Sequence, residues 1–171
     1  AVVLMDAQVD HTTGLLMLRE RSAPLPLYAT AQVFEDLTNG LPLVNTLEHY
    51  CKTEKHVIDL DKGAFQIEPL AGIAFEPVPL SSKAPPYSPH RHDPHIGDNI
   101  GLLIRDRTTG RSAFYAPGLG EIEPQVEAAM RQADVLLVDG TFWTDDEMIT
   151  AGLSQKRAID MGHLAQSGPN G

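Results

Sequence analysis

The sequence predicts an α/β fold in which layered β-sheets are covered by helices. Three observations predict it. The opening third, from "AVVLM" to "LPLVNTLEHY", alternates apolar strand-like runs with helix-like runs. The middle changes to short β-rich runs broken by Gly and Pro, and ends in a hairpin. The last third returns to helix, strand, helix.

Taken in order, "AVVLM" is apolar throughout and reads as a buried strand. "HTTGLLMLRE" places Leu15, Leu16 and Leu18 at near-helical spacing, with Asp10 or Thr12 as a cap. "LPLYAT" reads as a second strand. "AQVFEDLTNG" reads as a helix closed by Asn39-Gly40, and "LPLVNTLEHY" as another with Pro42 in its first turn. "KHVIDL", "GAFQIEPL" and "GIAFEPVPL" are expected as short strands. "SSKAPPYSPHRHDPHIGD" has four prolines, three histidines and no periodicity, so it is a long loop of the kind that usually carries function. "NIGLLIRD" and "SAFYAPG" form a hairpin through "RTTGR". "EIEPQVEAAMRQA" puts Val126, Ala129 and Met130 on one helical face. "DVLLVDG" reads as a buried strand ending in Asp139. "TDDEMITAG" opens another helix behind a Thr or Asp cap, and "RAIDMGHLAQSGPNG" is a helix or turn carrying His163.

A chain of 171 residues, 42% hydrophobic, suffices for one domain with a sizeable core, expected over 1–171. Thirteen Lys and Arg against 23 Asp and Glu give a formal net charge of -10. Such a surface argues against nucleic acid and against anionic membranes as partners. Cys51 stands alone, which rules out an intrachain disulfide and a Cys-based zinc cluster within this chain. That fits a reducing compartment, and a cytoplasmic location is expected. No apolar run is long enough to span a bilayer, and no signal-like segment opens the sequence. Residue 1 already lies inside a strand-like run, and no closing element follows "QSGPN". The sequence therefore reads as an internal piece of a longer protein.

Four features point to chemistry. Asp10-His11 follows a strand end, where open α/β folds place ligands. A neighbouring carboxylate and imidazole suit one metal ion, while the structural alternative makes Asp10 a helix cap and His11 a surface residue. His90, His92 and His95 lie in the proline-stiffened loop. They are either held for function or solvated there. Asp139 ends an apolar strand and is costly there unless paired, metal-bound or capping the turn at Gly140. His163 beside Gly162 is either an active group or a surface turn residue.

The order of these features resembles the metallo-β-lactamase superfamily, whose fold is an αββα sandwich. The hydrolase pattern it is most similar to is that of the tRNA 3′-processing nucleases. At family level, "DAQVDHTTGLLMLRE", "APPYSPHRHDPHIGDNIGLL", "FYAPGLG", "LLVDGTFWTDDEM" and "MGHLAQSGP" look like pyrroloquinoline quinone (PQQ) biosynthesis protein B. The motifs run nearly end to end. The family's N-terminal segment with a structural zinc motif, and its C-terminal strand with a further His, are absent from this sequence.

Set on the superfamily motif H-x-H-x-D-H, Asp6 stands where the first His belongs and Gln8 where the second does, while Asp10 and His11 match. The Asp that bridges two metals in the hydrolases would fall within Pro117 to Gly120, where no carboxylate is present. A water bridged by two metals is the usual hydrolytic nucleophile, so these departures argue against hydrolysis. With the family's distant C-terminal His, Asp10 and His11 would make two His and one carboxylate, the ligand set of non-haem Fe(II) oxygenases. The resemblance implies an iron-dependent hydroxylase acting on the tyrosine-derived ring of a cross-linked Glu-Tyr precursor of PQQ. Molecular oxygen would be the co-substrate, and a homodimer is left open. The alternatives are a carrier moving PQQ or its precursor toward the periplasm, and a residual metallohydrolase. Asp10 and His11 are then metal ligands, and Asp6 and Gln8 line the site. At least one of His90, His92 and His95 faces the metal pocket. Asp139 and His163 are proton-transfer or substrate groups. Arg91, with Arg157 as a weaker candidate, receives substrate carboxylates.

Overall fold

The computed structural model describes residues 1–169 and 171, and it arranges them in four layers. The inner two are β-sheets. In the first, β1 (Val2–Val3), β2 (Leu25–Ala29) and β3 (Thr53–Val57) run parallel in the order β1-β2-β3. In the second, β4 (Ile73–Pro79), β5 (Ile100–Asp106) and β6 (Ser112–Ala116) are antiparallel neighbours, and β7 (Val135–Val138) joins β6 in parallel.

Strand alternation divides the apolar side chains among three cores. Leu25, Leu27 and Ala29 of β2 face outward onto α2 (Ala31–Glu35) and α3 (Leu43–Glu48), packing with Val33, Phe34, Val44 and Leu47. Tyr28 points the other way, into a core between the sheets built from Met5, Ile58, Phe75, Ile100 and Leu102. Leu103, between two residues of that central core, faces the opposite side, where Phe114, Val126 and Ala129 seat α4 (Pro124–Gln132). Each fully buried Leu, Val or Phe contributes about 1.5–3 kcal/mol of transfer free energy. Gly101 lies flat against Phe114, since a Cβ there would sit 2.8 Å from its ring.

Most of the expected elements are present. The 100–116 hairpin, the buried face of α4 and the lack of regular structure from 80 to 99 all appear as the sequence predicts. Four details differ. The first helix, α1, spans Val9–Thr12 and continues as a 3-10 segment, Thr13–Leu18. It begins after Gln8, so Asp10 lies inside its first turn and caps nothing. "GAFQIEPL" forms no strand, only an isolated bridge from Phe65 to Phe75. The helix starting at Ala31 widens into π geometry over Asp36–Gly40 before the turn at Leu41.

The fourth difference is β7, expected to be buried. Val135, Leu136, Leu137 and Val138 are all exposed. β7 is an edge strand with one neighbour, β6. The remaining helices, α5 (Glu147–Thr150) and α6 (Ala158–Met161), are single turns after this edge. The end of the "QSGPN" stretch includes Asn170, which lies outside the described residues.

Candidate metal and substrate site

The site forms where the sheets meet. The Ile100 amide donates to the Met5 carbonyl (2.9 Å), which fixes the chain entering "DAQVDH" against the second sheet. Asp6 follows at the end of β1 and is buried. Its Oδ1 accepts the Gln8 amide (2.9 Å), and both its oxygens lie within reach of His11 Nδ1, at 2.8 and 2.9 Å. An ionised carboxylate only accepts, so Nδ1 holds the proton and Nε2 is left free. The Asp6 hydrogen bond, working against partial burial, raises the His11 pKa above the usual imidazole value. Asp10 is next in the helix. Its side chain is 84% exposed, with Oδ2 3.8 Å from His11 Nε2.

A second carboxylate–imidazole pair stands on the other side. Asp139 ends β7, where its amide donates to the Ala116 carbonyl (2.9 Å). Its Oδ1 takes the Thr141 amide (3.0 Å) and hydroxyl (2.7 Å), closing a side-chain turn. Its Oδ2 takes the Leu119 amide (3.3 Å) and His163 Nδ1 (2.5 Å). Thus the structural and the functional alternative for Asp139 both hold, one on each oxygen. Burial opposes the Asp139 charge, yet the His163 and Thr141 hydrogen bonds outweigh it and hold the carboxyl below its usual range. The same contact with Asp139 raises His163. His163 owes its position to Gly162, which ends α6 in the left-handed conformation (φ 92°) that glycine adopts without strain.

Both imidazoles line one cavity of about 170 Å³, together with Asp6, Gln8, Asp10 and Arg91. The cavity lies beyond the C-terminal ends of β1, β6 and β7, the usual ligand position in an α/β sheet. Gln8 reaches across it, its amide 3.5 Å from the Lys83 carbonyl. Arg91 is steadied by a hydrogen bond from Nη1 to the Ala84 carbonyl. Arg157 is committed elsewhere, beside Asp145 (3.7 Å) and Asp160 (3.6 Å).

The loop histidines do not face this cavity, contrary to expectation. His90 is turned toward helix α2, its Nε2 3.0 Å from Glu35 Oε2, and it packs on the His95 ring at 4.4 Å. His92 is exposed. His95 lines a neighbouring cleft, and Asp98 Oδ2 holds its backbone amide at 2.7 Å. The cause is the loop's anchoring, which no local signal in the sequence shows. Tyr87 donates its hydroxyl to the Ala7 carbonyl and packs on Gly40, while the Gly97 carbonyl accepts from Thr30 (2.6 Å). Lys83, Ser82 and Asn99 also line the His11 cavity and carry no motif that would have singled them out.

Asp10 and His11 fit a metal site in part. A ligating imidazole ordinarily donates its other ring N–H to a carboxylate, as His11 does to Asp6. Among the described residues, no group of three His, Cys, Asp or Glu side chains is placed to hold one ion. Two protein donors are therefore in position, and the carboxylate that replaces the first motif His is occupied in orienting one of them.

The beta-lactamase superfamily domain matches residues 1–169, and the chain belongs to that superfamily. Within it, the chain is similar to the proteins named Coenzyme PQQ synthesis protein B. It is 58% identical to the one from Methylococcus capsulatus, 61% to that of Cupriavidus necator and 62% to that of Cupriavidus taiwanensis. Each match covers 100% of this chain and 56% of the relative, so the chain spans about half the length of these proteins. The crystal structure of Zn(2+)-bound PqqB from Methylobacterium extorquens superposes with a TM-score of 0.80 at 29% identity, over 99% of this chain and 55% of that one. Human tRNase Z, short form, shares the fold at a TM-score of 0.57 and 13% identity, over 96% of this chain and 63% of that one. The αββα fold expected from the sequence is thus the observed one. Among the described residues, no helix is long and apolar enough to cross a membrane.

Proposed function

We propose that the chain serves PQQ biosynthesis in the cytoplasm, as an iron-dependent hydroxylase of the tyrosine-derived ring of a Glu-Tyr precursor. The observation that carries this is the placement of Asp6. In a two-metal hydrolase motif that position is a metal-binding imidazole. Here it is a buried carboxylate whose oxygens are taken by His11 Nδ1 and the Gln8 amide. The half of the motif held by Asp10 and His11 remains, and the other half has become its support. Gly118, in the segment where a bridging carboxylate would fall, brings no side-chain ligand to the cavity.

Asp10 and His11 would hold the iron, with a third protein ligand from the longer protein. When bound, the iron supplies redox chemistry with oxygen beside the phenol. The chain's own residues do the rest. Asp6 keeps His11 in one tautomer and one ring orientation. Arg91 offers its guanidinium to a substrate carboxylate. His163, with Nδ1 fixed on Asp139, presents Nε2 to the cavity, where it can take or return the phenol proton.

The test is a single turnover of the full-length protein with Fe(II), oxygen and a peptide-derived Glu-Tyr substrate, read by mass spectrometry. A ring-hydroxylated product is expected. Tight PQQ binding with no oxygen consumed would support the carrier reading instead. Thioester or phosphodiester hydrolysis that survives Gln8→Ala would support a hydrolase.

A further inference from the structure

The 170 Å³ cavity at His11 does not stand alone. A larger cleft of about 370 Å³ adjoins it, and the two share Ser82, Lys83 and Gly162 in their walls. The neck, where they adjoin, runs past Gly162, whose lack of a side chain leaves room there: a Cβ would meet Ser82 Oγ at 3.2 Å. Beyond the neck the cleft is mainly apolar. Leu80 and Pro94 line it, and Ile96 and Ile159 stand exposed at 75% and 43%. Glu121 is the only carboxylate among its lining residues.

Among the described residues, Lys83 is the one Lys or Arg that lines both spaces. The protein is strongly acidic, yet among the described residues Lys83 has no carboxylate within 4.0 Å. Asp160, near enough to feel its charge, is already paired with Arg157. An exposed, unpaired ammonium at the neck between a reactive cavity and an apolar cleft is suited to an anion that enters through that cleft.

We infer that Lys83 is a specificity residue for an amphipathic aromatic acid. Its carboxylate meets the Lys83 ammonium at the neck, and its apolar body spans from the Ile96–Ile159 cleft into the His11 cavity. The inference takes from the proposed function only that a phenolic ring enters the His11 cavity. It requires no turnover and no metal.

The test measures binding of para-hydroxyphenylpropionate and of para-ethylphenol, which lacks the carboxylate, to metal-free full-length protein by calorimetry. The acid is expected to bind about tenfold more tightly than the phenol, as a charge-assisted contact allows. Lys83→Met should remove most of that preference, leave phenol binding unchanged, and weaken the salt dependence of acid binding, with Arg91 carrying the remainder. Lys83→Arg should keep most of the preference. Lys83 is exposed, and an unchanged circular dichroism spectrum checks that each variant is folded. Equal acid affinity in wild type and Lys83→Met, or parallel loss for both ligands, would overturn the inference. If Lys83-dependent binding appears but no hydroxylation is ever observed, the inference stands and the oxygenase does not.

Discussion

His163 Nδ1 lies 2.5 Å from Asp139 Oδ2, joining the end of an exposed edge strand to a residue 24 positions later. Around the same cavity, Asp6 holds His11 Nδ1 at 2.8 Å. Two imidazoles, each anchored through Nδ1 by a buried carboxylate, leave their Nε2 atoms for whatever enters between them. The proposed function uses the His11 side as a ligand and the His163 side as a proton carrier.

The Asp139–His163 pair predicts a pH window for stability. His163 is raised, so the stability it adds is complete below the ordinary imidazole pKa and is lost as pH rises through the raised value. Asp139 is lowered, so its share is complete above the ordinary carboxylate pKa and is lost as pH falls through the lowered value. Both contribute fully between roughly pH 4 and 6.5. Urea unfolding of wild type and Asp139→Asn should differ most there, by about 2 kcal/mol, and converge on either side. A difference independent of pH would contradict the pairing.

Asp6→Ala removes the acceptor for both His11 Nδ1 and the Gln8 amide. Metal affinity of the full-length protein should fall ten- to a hundredfold in a chelator competition, the usual scale for losing a carboxylate behind a ligating imidazole. Asp6→Asn, which can still accept, should lose less. Unchanged affinity in Asp6→Ala would mean that His11 needs no orientation.

Tyr87 is the peg that holds the 80–99 loop on the turn at Ala7. Burial, reinforced by the Asp36 charge, pushes its phenol up to about 12. Tyr87 should therefore ionise late in an ultraviolet titration that loses one step in Tyr87→Phe. The same variant gives up the bond to the Ala7 carbonyl and should cost about 1 kcal/mol in urea unfolding. An early, freely titrating phenol would show that the loop is not pinned there.

Much of this architecture is visible in the sequence because local chemistry determines it. A short turn between two apolar runs can only fold back, and the 100–116 hairpin follows. Asn39-Gly40 closes its helix, with Gly40 leaving room for Tyr87, and Gly162 ends α6 in the left-handed conformation that glycine adopts without strain. β7 was legible as a strand but not as an exposed one. Four apolar residues look the same at a sheet's centre and at its edge, and only the neighbouring chain decides which it is. The loop histidines show the same limit. Prolines announced a stiff loop, but Glu35, Ala7 and Thr30, all distant in sequence, decide which way it faces. Asp10-His11 was legible as a candidate ligand pair, whereas the grip of Asp6 on His11 appears only once the helix start at Val9 sets their geometry. Lys83 carried no signal, since a single lysine becomes informative only when two cavities meet beside it.

The most direct test of a motif reduced to one metal is the number of metal ions that depend on it. Full-length wild type and His11→Ala are loaded with Fe(II) without oxygen, freed of loose metal, and assayed for metal per chain. His11→Ala should bind one ion fewer than wild type, with any zinc held elsewhere unchanged. Loss of two ions would reveal a two-metal hydrolytic centre, and loss of none would show that His11 is not a ligand.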